Sequence, residues 1–170
     1  MATTKTTQKA PDARTKIKPV FQKRDTHYVD ATNLIVGRMA SIAAQKLLRG
    51  ENVTIIHTEK AVFTGNPIVL AKLWQTRLDL RPRGNPEKGP RFSRMPDRIV
   101  REIIEGMVPY KSQRGIEAMR RLKTFIGKPV QAGAIKALAE WKHAQNHKTK
   151  GVITVLDLSR ALGYNGEMKE

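Results

Sequence analysis

The sequence predicts an α/β layered domain with a mostly parallel sheet, because short β-branched runs alternate with segments whose apolar residues recur at helical spacing. Length agrees with one ordinary core: the chain has 170 residues, and a domain of about 150 buries roughly 70% of the surface it exposes when unfolded. No internal repeat is visible. The alternation therefore reads as a single domain over residues 27–170, preceded by a basic extension over 1–26.

Each element has its own local signal. His27, Tyr28, Val29 and Asp30 read as a short strand, and Thr32 and Asn33 as the turn that leads into Leu34, Ile35, Val36 and Gly37. Met39, Ile42, Ala43, Leu47 and Leu48 then recur at helical spacing, which predicts a helix over 38–49. Gly50 suits the left-handed position that ends it. Residues 53–57 form a β-branched run short enough for a buried strand, and 61–63 a small extended piece. Asn66 and Pro67 pair as cap and first turn of a second helix, whose apolar stripe is Val69, Leu70, Leu73, Trp74 and Leu78.

Residues 81–96 contain four prolines and two glycines among Arg81, Arg83, Lys88, Arg91 and Arg94, so a long basic loop is predicted there. Pro96 fits the first turn of the next helix, with Ile99, Val100, Ile103, Ile104 and Met107 as its buried face and Gly106 weakening its end. A short helix follows, with Ile116, Met119 and Leu122 facing in and Arg120, Arg121 and Lys123 available outside. A helix over 134–141, a strand over 152–156 and a helical turn over 159–162 stopped by Gly163 complete the pattern.

Charge narrows the function classes. With 32 Lys plus Arg against 15 Asp plus Glu, the net charge is +17, which calls for a polyanionic partner. The longest apolar runs, such as 68–71, are far too short to span a membrane, so nucleic acid is the expected polyanion. No signal peptide is read in residues 1–16, and the protein is expected to stay inside the cell. The absence of cysteine removes disulfides, thiolate metal sites and cysteine nucleophiles. Residues 1–26 carry seven basic groups and few large apolar ones; they read as an arm that orders against phosphates rather than folding alone.

The charge is concentrated between residues 81 and 128, which hold thirteen basic and five acidic residues. Arg dominates, and its planar fork matches phosphate oxygens in pairs. The candidate RNA-binding residues are Arg38, Arg81, Arg83, Lys88, Arg91, Arg94, Arg98, Arg101, Lys111, Arg114, Arg120, Arg121 and Lys123. No zinc finger, basic zipper or recognition helix points to DNA. Aromatics are 5% of the chain, and Trp74 and Phe125 are read as core, so binding is expected through RNA backbone and shape.

Catalytic signals are weak throughout. Val36-Gly37-Arg38 lacks the later glycines of a dinucleotide turn, and no Gly-Lys-Thr/Ser phosphate loop exists. His143 and His147, four apart, have neither an adjacent Glu nor a third ligand and read as two exposed histidines. Asn52-Val53-Thr54 matches a glycosylation triplet by chance in a predicted strand. No cofactor, metal or small-molecule substrate is expected.

Taken in order, Val29-Asp30-Ala31, Gly37-Arg38-Met39-Ala40-Ser41, Leu47-Leu48-Arg49-Gly50 and Thr64-Gly65 resemble the universal large-subunit ribosomal protein L-thirteen family. The second half agrees through Gly89-Pro90, Arg94-Met95-Pro96, Gly106-Met107-Val108-Pro109-Tyr110-Lys111, Arg114-Gly115, Arg121-Leu122-Lys123 and Phe125-Ile126-Gly127-Lys128-Pro129. The resemblance covers residues 29–129. The direct passage from Gly50 to Val53 is similar to the archaeal and eukaryotic branch, and the C-terminal length to its archaeal members. The resemblance implies a three-layer α/β/α domain around a four-stranded parallel sheet. It also implies a cytoplasmic structural constituent of the large subunit that binds rRNA, contacts neighbouring ribosomal proteins and joins assembly early. The rival readings are an α/β enzyme acting on nucleic acid, for which no catalytic cluster can be assembled, and a free regulatory RNA-binding protein that represses translation of an mRNA.

Overall fold

The computed structural model describes residues 26–80, 82–129, 139–148 and 150–166. Residues 1–25 of the arm predicted over 1–26, Arg81 and residues 134–138 of the predicted helix lie outside the described residues, whereas Thr26 already belongs to the first strand. The order is β1 (Thr26–Asp30), α1 (Val36–Arg49), β2 (Asn52–Ile56), β3 (Val62–Thr64), α2 (Pro67–Asp79), α3 (Pro96–Gly106), α4 (Gln113–Arg121), β4 (Leu122–Thr124), β5 (Val152–Thr154) and α5 (Val155–Ala161). Three strands pair in parallel in the order β1-β2-β4. In the central strand, Val53, Thr54, Ile55 and Ile56 are buried in succession, so both faces of the sheet are covered, as layered α/β architecture requires.

The α/β class is as predicted, with a difference in the sheet. Residues 152–154 do form a strand, but it pairs antiparallel with β3, and among the described residues the parallel sheet has three strands, not four. β4 was not expected at all: Leu122 belongs to it rather than to the preceding helix. Its N–H and C=O groups find partners on β2, and that pairing outweighs the helical spacing of Leu122 with Met119. Leu156 in turn lies in α5, because Thr154 caps that helix by accepting the Asp157 N–H at 3.1 Å.

Helix α1 starts at Val36, two residues before the expected position, and buries Met39, Ala40, Ala43, Ala44 and Leu47. It ends where Gly50 adopts φ +97°, donating its N–H to the Leu47 carbonyl. Asn66 caps α2, accepting the Ile68 N–H, with Pro67 in the first turn as predicted. The expected stripe on α2 is only partly buried: Trp74 packs with Phe63 at 6.3 Å between ring centres, whereas Val69 and Leu73 are exposed. Met107 and Ile116 are likewise exposed. Residues 139–144 form a 3₁₀ segment, not the end of an α-helix.

Candidate nucleic-acid interface

The basic loop is irregular as predicted, apart from one 3₁₀ turn over Pro86–Lys88 capped by the Asn85 side chain. Its downstream end is tied to α3. The Ser93 N–H donates to Glu102 Oε1 at 2.9 Å, the Met95 N–H donates to Ser93 Oγ at 3.3 Å, and Pro96 opens the helix. This short relay places Arg91 and Arg94 beside Arg98. Those three arginines line a groove of about 680 Å³. A second groove, of about 520 Å³, runs along α3 past Arg101 and Lys123, with Asp97 and Glu105 also in its lining. Arg98 and Glu102 line both, so the two grooves adjoin across the first turns of α3.

Arg91, Arg94, Arg98, Arg101 and Lys123 are exposed, and none of them is held in an ion pair among the described residues. Their guanidinium and ammonium groups are therefore available to an external anion. Arg83 and Lys88 are exposed in the same loop. Two aromatic rings share this ground: Phe92 lines the first groove and Phe125 the second. Phe125 is 36% exposed rather than core. Its backbone is nevertheless fixed, because its N–H donates to Ile55 O at 2.9 Å and its carbonyl accepts from Thr58 Oγ1 at 3.0 Å. Phe92 is partly buried and Phe125 exposed, and rings placed between cations suit base stacking. The Arg91-Phe92-Ser93-Arg94 run carried that signal in the sequence; Phe125 carried none.

Three other candidates, Arg38, Arg114 and Arg121, are engaged by backbone carbonyls. Arg121 is half-buried and donates through Nη2 to Leu47 O at 3.0 Å, and Arg114 reaches Leu48 O at 3.4 Å. Arg121 thus adds a second donor to the carbonyl that already accepts the Gly50 N–H, and both cations lie at the C-terminus of α1, where positive charge complements the helix dipole. Arg38 sits at the opposite end of α1, about 14 Å away along the axis, and donates to His143 O at 3.4 Å. Lys111 and Arg120 are exposed. Arg121→Ala is therefore expected to lower stability by about 1–2 kcal/mol through loss of a charged hydrogen bond, while Arg120→Ala stays within about 0.5 kcal/mol. Urea unfolding of the two variants checks this.

Burial raises the Glu102 carboxyl above its usual pKa, an effect the Ser93 N–H and Arg98 only partly offset, and Glu105 adds to the rise. Glu102 Oε2 is buried with no hydrogen-bond partner. An acid whose folded pKa is raised binds its proton more tightly in the native state, so its contribution to stability falls as pH rises through and above the ordinary carboxylate range. Glu102→Gln should accordingly raise the unfolding midpoint at neutral pH, with the gain shrinking toward zero on acidification. Parallel melting curves across pH 3–7 test this, and an equal difference at every pH contradicts it.

Among the described residues no cluster of His, Asp, Glu or Cys has metal-binding geometry. His143 and His147 are both exposed, and only His143 lies in the 3₁₀ segment, so they do not share a helix face. No helix among the described residues is long and apolar enough to cross a membrane.

Against this geometry, the family model described as Ribosomal protein L13 matches residues 24–131, well over half of the chain. The chain is 42% identical over 150 residues to the large ribosomal subunit protein uL13 of Methanopyrus kandleri, covering 86% of this chain and 92% of that protein. It is 37% identical over 144 residues to uL13 of Archaeoglobus fulgidus, covering 84% and 90%. It is 38% identical over 136 residues to uL13 of Methanocaldococcus jannaschii, covering 79% and 96%.

Proposed function

The chain belongs to the ribosomal protein L13 family, and from that premise we propose that it binds large-subunit rRNA through the cationic face of α3 and the loop before it. As a member it is a structural, non-enzymatic constituent of the large ribosomal subunit, cytoplasmic like that particle and part of the translation machinery. One observation supports the rRNA reading most: Arg91, Arg94, Arg98, Arg101 and Lys123 line two adjoining grooves at a Pro- and Gly-rich loop. Each cation that meets a phosphate releases counterions and lowers the repulsion that keeps RNA helices apart. Such contacts position the protein without reading sequence, while Phe92 and Phe125 offer stacking surfaces. Neutralising a junction is of most use before the RNA around it has packed, which favours early entry into assembly. The basic residues of 1–26 add an accessory contact, and neighbouring ribosomal proteins complete the environment.

The test is retention on the particle. The protein is expected to stay with large subunits through a high-salt wash, and to bind protein-free large-subunit rRNA with steep salt dependence. Recovery in the free fraction at ordinary ionic strength, with no affinity for that rRNA, would overturn the reading.

A further inference from the structure

A carboxylate lies at the meeting point of the two grooves, among the arginines that line them. Glu102 lines both, one turn along α3 from Arg98. Its charge repels phosphate, and one of its oxygens is buried without a partner, which adds an unfavourable contribution to the fold. A carboxylate at that place therefore needs a compensating task. Its other oxygen has one: Oε1 accepts the Ser93 N–H at 2.9 Å. Ser93 stands between Arg91 and Arg94, and its own Oγ accepts the Met95 N–H at 3.3 Å, just before α3 begins. The loop upstream of that bond holds itself by short local contacts, the Asn85 cap and the Gly89 N–H to Pro86 O bond at 3.3 Å. The Ser93–Glu102 bond joins the exit of the loop to the middle of α3.

We propose that Glu102 is a positioning residue for the RNA-binding face: through the Ser93 N–H it clamps the loop exit onto α3, so that Arg91 and Arg94 are held beside Arg98 before RNA arrives. The inference rests on the reading of this face as the rRNA contact. Preorganisation of this kind removes ordering entropy from the binding step. It requires only a hydrogen-bond acceptor at Oε1, not the negative charge.

That distinction provides the test, because charge and clamp predict different orders of affinity. If the carboxylate acts on RNA only through its charge, Glu102→Gln and Glu102→Ala tighten binding alike. If it acts as the clamp, Gln retains the acceptor and loses the repulsion, so it binds protein-free large-subunit rRNA more tightly than the wild-type protein. Ala loses the acceptor and binds roughly fivefold more weakly than Gln, the worth of one modest hydrogen bond. In the free protein, hydrogen exchange at the Ser93 amide should then be faster in the Ala variant and not in the Gln variant. Both replacements are good helix formers at a half-buried helical site, so both variants are expected to fold; thermal unfolding confirms this beforehand. The inference stands if Ala is weaker than Gln by about threefold or more and the Ser93 amide exchanges faster only in Ala; it falls if either result is missing. Arg98→Gln in the same titrations separates the two levels. If it binds like wild type with an unchanged salt slope, the face itself is wrongly placed and the inference falls with it. If it weakens binding while Ala and Gln at position 102 behave alike, the positioning role alone is refuted.

Discussion

Replacing Arg91, Arg94, Arg98 and Arg101 together by Gln is expected to weaken binding to large-subunit rRNA steeply at low salt and to flatten its salt dependence. Each side chain is exposed and lines one or both grooves flanking α3. If each meets one phosphate, the slope of log affinity against log salt shrinks by about 3 units, at roughly 0.7–0.9 per contact. A fourfold rise in salt then costs the wild-type protein roughly 60 times more affinity than the variant. The fold should be spared, because none of the four is buried, and surface substitutions of this kind usually move stability by less than about 0.5 kcal/mol each. Titrations at several salt concentrations, with thermal unfolding alongside, decide it. An unchanged slope in a folded variant places the RNA contact elsewhere on the molecule.

Gly115→Ala is expected to destabilise the protein, although helix propensity alone favours Ala over Gly by about 1 kcal/mol. Gly115 lies in the first turn of α4, where its N–H donates to the capping Ser112 side chain. A Cβ built there would sit 2.0 Å from Pro109 O and 2.9 Å from Tyr110 N. Both are backbone atoms that no side-chain rotation can move aside. Overpacking of this kind costs about 1–3 kcal/mol, and here the turn over residues 109–112 must shift bodily, so a net loss of about 2 kcal/mol is expected. For a chain of this size that lowers the unfolding midpoint by roughly 4–8 °C. Gly106→Ala is the matched control, because nothing lies within 4 Å of its added Cβ. A Gly115→Ala variant as stable as Gly106→Ala would show that the backbone approach at Pro109 is not as close as described.

Much of the molecule was legible because its causes lie within a few residues of their effects. The αL position of Gly50, the Asn66 cap and the first-turn prolines of α2 and α3 are local chemistry, and each ends or begins a helix where the sequence places it. The L-thirteen resemblance held for the same reason, resting on runs of contiguous residues. So did the basic loop, since four prolines and two glycines in sixteen residues exclude any long regular element.

Contacts between distant segments decided the rest. Three residues, Leu122 to Thr124, have no periodicity of their own and become a strand because β2 presents an edge to pair with. Val69 and Leu73 have the spacing of buried residues, yet α2 meets too little of the domain to cover them. Arg121 reads as a free cation until α1 brings the Leu47 carbonyl to its guanidinium. Glu102 reads as one acid on a helix face until the loop returns Ser93 to it. Spacing along a chain states which side chains share a face; whether that face is buried, paired or open to RNA depends on what packs against it, and the packing partner is set only when the chain folds.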